Sequence, residues 1–227
     1  MNFLSHFYFD RYSDNPERII GMVLPDLVKN ARKDWCIRPE KHQYLFTADK
    51  KLNCILEGWK RHLEVDRYFH SSDFFHFHTQ KIKALIGPFL INAEVRPSFV
   101  AHIALELMLD SLLLKERVVG TNQFYKYLSE ADVPSTKIFL ELNGISDTTQ
   151  FFTFLDEFIS SAYLNQYNDS GHIIYAIGRI CMRLWTGPFS DTQKLQLTAV
   201  LLPYMEKLEK EYMEIFDQIE RRLNPYT

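Results

Sequence analysis

"PSFVAHIALELMLDSLLLKE", Pro97–Glu116, is the stretch whose reading decides the fold. Pro97 has its φ pre-set for the first position of a helix. Inside the run, His102, Glu106 and Asp110 stand at i, i+4 and i+8. Every residue between them is apolar or alanine. A helix apolar on all sides belongs at the centre of a core, so other helices must surround it. Carboxylates placed there cannot stay charged alone, because desolvation costs several kcal/mol. Lys115 and Arg117 come only after Asp110. Two readings follow: a buried salt-bridge network fed by other helices, or a metal ion that neutralises the carboxylates.

Working outward, helical periodicity persists and no run of alternating strands intervenes. "SDNPERIIGMVLPDLVKN" carries an Asn15 cap and Pro16 at the first helical position. A long helix is expected over roughly 40–70. "DFFHFHTQKIKALI" restarts after Ser71-Ser72, with Ser72 or Asp73 as cap. "TNQFYKYLSEA", "PSTKIFLELNG", "TTQFFTFLDEFISSAYLNQY" and "DSGHIIYAIGRICMRLW" follow. A long closing helix from Asp191 is expected to kink at Pro203. The reading is one all-α domain over residues 1–227, a bundle of about eight or nine helices with short connections.

Composition narrows the class. The chain has 227 residues, 46% hydrophobic and 15% aromatic, enough for a sizeable core. The net charge of −3 gives no basic bias toward nucleic acid. Cys36, Cys54 and Cys181 form no CxxC and no disulfide framework, which fits a reducing cytoplasm. "MNFLSHFYFD" lacks the basic region of a signal peptide. "IALELMLDSLLL" is too short to span a bilayer. A cytoplasmic protein without nucleic-acid or membrane partners is expected. GxGxxG, P-loop, GxSxG and HExxH motifs are absent.

The chemistry-bearing residues concentrate in "GWKRHLEVDRYFHSSDFFHFH", Gly58–His78. At about 100° per residue, His62 and Asp66 share a helix face, and His70 follows at i+8. Imidazole and carboxylate at that spacing can share one ion. Equally, His62 can be a satisfied core histidine with Asp66 paired to Arg61 or Lys60. His6 and Asp26, from two early segments, add to a His/Asp/Glu set that suits Mn²⁺ or Mg²⁺, with Zn²⁺ and Fe²⁺ possible. Such a site suits metal-assisted hydrolysis of phosphate esters. Arg179 and Arg183, at i and i+4, could hold phosphate oxygens or pair with buried carboxylates. His42, His76, His78 and His172 show no partner pattern.

At these residues the chain resembles the acyl-carrier-protein phosphodiesterase family, a divergent branch of the HD-type metal-dependent phosphohydrolases. "MNFLSHFYF" resembles its MNFLAHLHLA, "GMVLPDLVKN" its GNxxxDFVKG, and "GWKRHLEVDRYFHSS" its GIxxHRxIDxxTD. "LELMLDSLL" resembles LDxxWDHFL, and "YLNQYNDSGHIIYAIGRICMRL" resembles WLxxYxxxxxIxxxLxxMxxR. The resemblance implies a helical HD-like fold, a divalent metal (usually Mn²⁺), and hydrolysis of the phosphodiester joining 4′-phosphopantetheine to holo-acyl carrier protein. His6, Asp26, His62, Asp66 and Asp110 fall on its polar motif positions and are the expected ligands. Glu106 stands for an Asp, and Arg183 falls on its late basic position. These two are the expected catalytic residues.

The departures are specific. Met22 replaces Asn, Asn30 a Gly, Leu63 an Arg, His70 an Asp and Ser111 a His. They leave open a small phosphoester as substrate instead of the carrier protein, or a non-enzymatic binding protein on a degenerate scaffold. "KNARK" at 29–33 could offer the acidic carrier protein a basic face, or be an ordinary solvated loop.

Overall fold

A computed structural model describes residues 1–91 and 93–224. Every regular element among them is helical, so the all-α class stands. The α-helices are α1 (Phe3–Tyr8), α2 (Pro16–Ala31), α3 (Lys50–His70), α4 (Asp73–Ile86), α5 (Pro97–Lys115) and α6 (Thr121–Glu130). Then come α7 (Val133–Leu142), α8 (Thr149–Ser161), α9 (His172–Cys181), α10 (Asp191–Leu208) and α11 (Met213–Leu223).

Local chemistry sets the ends. Asn15 accepts from Arg18 N–H at 2.9 Å and Ser72 from Phe75 N–H at 3.0 Å, so both expected caps are in place. The helix expected from about residue 40 begins instead at Lys50. Pro39–Lys41 and Gln43–Leu45 are 3-10 turns, and Asp49 Oδ1 accepts from Lys51 and Leu52 N–H, each at 2.9 Å. "TTQFFTFLDEFISSAYLNQY" does not continue as one helix. Ala162 adopts a left-handed φ of 44°, and Tyr163–Asn168 is 3-10. The closing helix, expected as one from Asp191, is interrupted between Leu208 and Met213, and Pro203 lies inside α10. Pro203 is exposed, as is Ala199, whose carbonyl loses its donor, so water can satisfy that carbonyl.

The described residues pack as two compact units, each built from separated stretches. One holds His6–Asp66 and Val119–Asn165, the other Met1–Ser5 with the described residues of Arg67–Val118 and Gln166–Thr227. In the first, α2 packs on α6 and α8. Its core includes Ile19, Ile20, Val23, Phe124, Leu128 and Phe151. Helices α2 and α3 approach through glycines. A Cβ on Gly58 would collide with the Arg18 carbonyl oxygen and lie 2.6 Å from Met22 N. A Cβ on Gly21 would lie 2.8 Å from Ile55 Cα. Only residues without a side chain allow backbones that near.

In the second unit, α5 packs on α4 and α9, and α10 packs on α4 and α9. Helix α5 is long and apolar enough to cross a membrane, yet most of it is buried, as the sequence pattern requires of a central helix. Leu105, Leu107, Met108 and Leu109 are all within 1% of full burial.

Candidate metal centre

Among the described residues, two groups of side chains place potential ligand atoms together: His6, His62 and Asp66 in the first unit, and His70, His102 and Glu106 in the second.

The first group begins with a backbone carbonyl. His62 Nδ1 lies 2.8 Å from Met22 O. A carbonyl can only accept, so Nδ1 carries the proton and Nε2 presents its lone pair. Gly21 and Gly58 permit this contact by letting α2 and α3 close up. The His6 ring stacks on His62 with centroids 3.8 Å apart and planes 14° off parallel. Both rings face one carboxylate: His6 Nε2 is 3.2 Å from Asp66 Oδ1, and His62 Nε2 is 3.6 Å from Asp66 Oδ2.

His6 is fully buried, and neither ring nitrogen has a hydrogen bond of acceptable direction. The short approach to Asp66 is therefore a proximity, not a directed bond. Buried polar atoms are nearly always paired, so this orphan calls for a partner. Burial, helped by the neighbouring His62, lowers the His6 pKa to about 4. The ring is neutral at pH 7 and free to donate a lone pair. Ligands on one ion at bonds of ~2.1 Å lie no more than ~4.2 Å apart, and both ring-to-carboxylate separations fall inside that limit. Two imidazoles and a carboxylate fit a divalent ion of the Mn²⁺, Fe²⁺ or Zn²⁺ kind. Asp66, with 32% of its side chain exposed, is the member in touch with solvent.

In the second group, His102 Nε2 lies 2.9 Å and His70 Nε2 3.5 Å from Glu106 Oε1, and the two Nε2 atoms are 3.2 Å apart. The amino group of Met1 lies 3.0 Å from the same oxygen. Burial opposes charge on Glu106. The Met1 amine and the facing imidazoles of His102 and His70 nevertheless hold its carboxyl well below the usual carboxylate range. Phe75 sets its ring edge-on to both histidines, at 5.0 Å from each.

Asp110, an expected ligand, joins neither group. Its carboxylate is fully buried and engaged: Oδ2 accepts from Leu4 N–H at 3.1 Å, and Oδ1 from Ser5 N–H at 2.7 Å and Ser5 Oγ at 2.6 Å. Asp110 closes the open N–H groups at the start of α1. Burial still pushes its carboxyl up to about 7, against the pull of those donors. Asp26 lies half-buried on α2 and also joins neither group. Glu106, an expected catalytic residue, is drawn into the second group by His70 and His102. Arg183, the other, sits in the turn beyond the end of α9 and is exposed. It shares no helix with Arg179, because α9 stops at Cys181. Among the described residues, Glu106 faces His70, His102 and the Met1 amine, and Asp110 faces Ser5 and backbone donors, so the ion-pair reading of α5 is met by histidines and an amine rather than by the arginine or lysine expected. His102, noted in the sequence but not assigned as a ligand, is signalled by its i, i+4 spacing to Glu106.

Comparison with protein-family models, with curated proteins and with solved structures finds no match for this chain.

Proposed function

We propose that the protein is a metal-dependent phosphodiesterase whose metal is held by His6, His62 and Asp66. The observation that carries this reading is His6: a sealed, neutral imidazole with unpaired nitrogens, stacked on a second imidazole of fixed tautomer, both facing one carboxylate. A divalent ion bound there would lower the pKa of a water molecule and offset phosphoryl charge. The chain's own contributions are separate. Met22 O keeps the proton on His62 Nδ1 and orients the ring. Asp66 supplies negative charge where the site meets solvent. The depth of His6 and His62 keeps competing water from their rings. The sequence resemblance favours the phosphopantetheine diester of holo-acyl carrier protein as substrate, with a small phosphoester as the alternative.

The test is hydrolysis by chelator-treated protein with Mn²⁺ added back, using holo-acyl carrier protein and a nitrophenyl phosphodiester in parallel. Release of 4′-phosphopantetheine supports the carrier-protein substrate. Turnover of the model ester alone supports the small-ester version. His62→Ala and Asp66→Asn should reduce either reaction to background and remove one Mn²⁺ from the titration. If wild-type protein turns over neither compound and takes up no Mn²⁺, the protein is a binding scaffold and the enzymatic reading fails.

A further inference from the structure

We infer that His70, His102 and Glu106 form a second cation site of zinc type, and that it takes an anionic ligand from the cleft beside it. Three features carry this. First, the donors converge: two Nε2 atoms and Glu106 Oε1 lie mutually within 3.5 Å. The 3.2 Å gap between those nitrogens has room for at most one hydrogen, so a lone pair faces it, beside a carboxylate that only accepts. With both rings protonated on Nδ1, two lone pairs and a carboxylate oxygen meet at one point. Two histidines and one glutamate are the donor set of catalytic zinc sites, which retain a position for water or substrate. The Met1 amine uses one lone pair of the same carboxylate, which has about four.

Second, the set is held and reachable. Phe75 braces both rings edge-on. His70 and His102 keep 34% and 38% of their side chains exposed, whereas Glu106 keeps 12%. An ion can arrive from solvent without the helices separating.

Third, the site adjoins a cleft. His102 lines a space of about 640 Å³ together with Arg96, Ser98, Phe99, Leu184 and Trp185. Arg96 is exposed and makes no ion pair with any described residue. Phe99 and Trp185 pack edge-to-face at 5.3 Å. A guanidinium on one wall and an ion on another select a phosphate-bearing ligand. The aromatic pair accommodates a flat apolar portion of it.

Metal-free protein titrated with Zn²⁺, read by calorimetry and by metal content after gel filtration, tests this. Wild type should bind two ions per chain, and His102→Ala and the closer-shaped Glu106→Gln should each bind one. His62→Ala should also bind one, and His62→Ala/His102→Ala none. Far-ultraviolet circular dichroism checks that each variant is folded. Unchanged zinc content and affinity in both His102→Ala and Glu106→Gln overturn the inference. One ion lost only with His62→Ala overturns it and leaves the first centre standing. One ion lost only with His102→Ala supports it and removes the basis of the proposed phosphodiesterase centre. Inorganic phosphate is the probe for the anion. Its binding should need Zn²⁺ and weaken at least tenfold in Arg96→Ala with zinc content unchanged. Equal phosphate binding without zinc or in Arg96→Ala overturns the anion assignment.

Discussion

Gly58→Ala should destabilise the protein, although alanine is the better helix former. The new Cβ would collide with the Arg18 carbonyl oxygen and lie 2.6 Å from Met22 N. Both neighbours are backbone, so no side chain can rotate away, and α2 and α3 must part. Overpacking of this kind costs about 1–3 kcal/mol, and rigid neighbours place it near 3. Replacing a helical glycine returns about 1 kcal/mol. The net loss of about 2 kcal/mol lowers Tm by ~4–8 °C in a chain of this size. Parting the helices also loosens His62 from Met22 O, so Mn²⁺ affinity should drop ~10–100-fold, the usual effect of losing a contact that orients a ligand. Scanning calorimetry and metal titration read the two effects. Gly87→Ala is the control, since nothing lies within 4 Å of its Cβ position. A Gly58→Ala protein that melts with Gly87→Ala, or above wild type, would refute the close-approach argument.

Asp110→Asn removes one of the two acceptor oxygens serving the start of α1, and the deficit should depend on pH. Burial raises the folded carboxyl to about 7 from an unperturbed 3.8, so between those values the folded state holds a proton that the unfolded state has released. Its contribution is therefore fully present below about pH 4 and is lost as pH rises toward 7. The Tm gap between wild type and Asp110→Asn should be wider at pH 5 than at pH 8, and a constant gap contradicts the assignment. Ser72→Ala removes the cap accepted from Phe75 N–H and should cost about 1 kcal/mol, seen as a fall of ~2–4 °C in Tm.

Helix class and several boundaries were legible because their causes are local. Asn15 and Pro16, Ser72, and Pro97 each sit where capping chemistry or a preset φ acts within one turn. The start of α3 was equally local, but its signal lay in Asp49. The apolar periodicity pointed earlier and overran two 3-10 turns. The exposed Pro203 sits inside α10, where water can replace the lost hydrogen bond, whereas the interruption after Leu208 carries no proline or glycine to signal it. The cluster of His6, His62 and Asp66 was readable as a donor set from residue types and the i, i+4 spacing. Asp110 was not readable. Its role depends on Leu4 and Ser5, more than a hundred residues away. The spacing that placed Asp110 with Glu106 on α5 says nothing of what faces each of them. His70 looked like a substitute ligand for the first group. It faces His102 and Glu106, the members of the second group.

The tether on His62 bears on how sequences at this position are compared. Met22 is a fully buried apolar side chain, which reads as having no part in a polar site. The atom that His62 uses is the main-chain oxygen, and every amino acid supplies that oxygen. Position 22 can therefore drift among residues that fill its buried pocket while the imidazole tautomer is inherited unchanged. The positions that cannot drift are the silent ones, Gly21 and Gly58, which carry no functional atom and set the distance across which that oxygen acts.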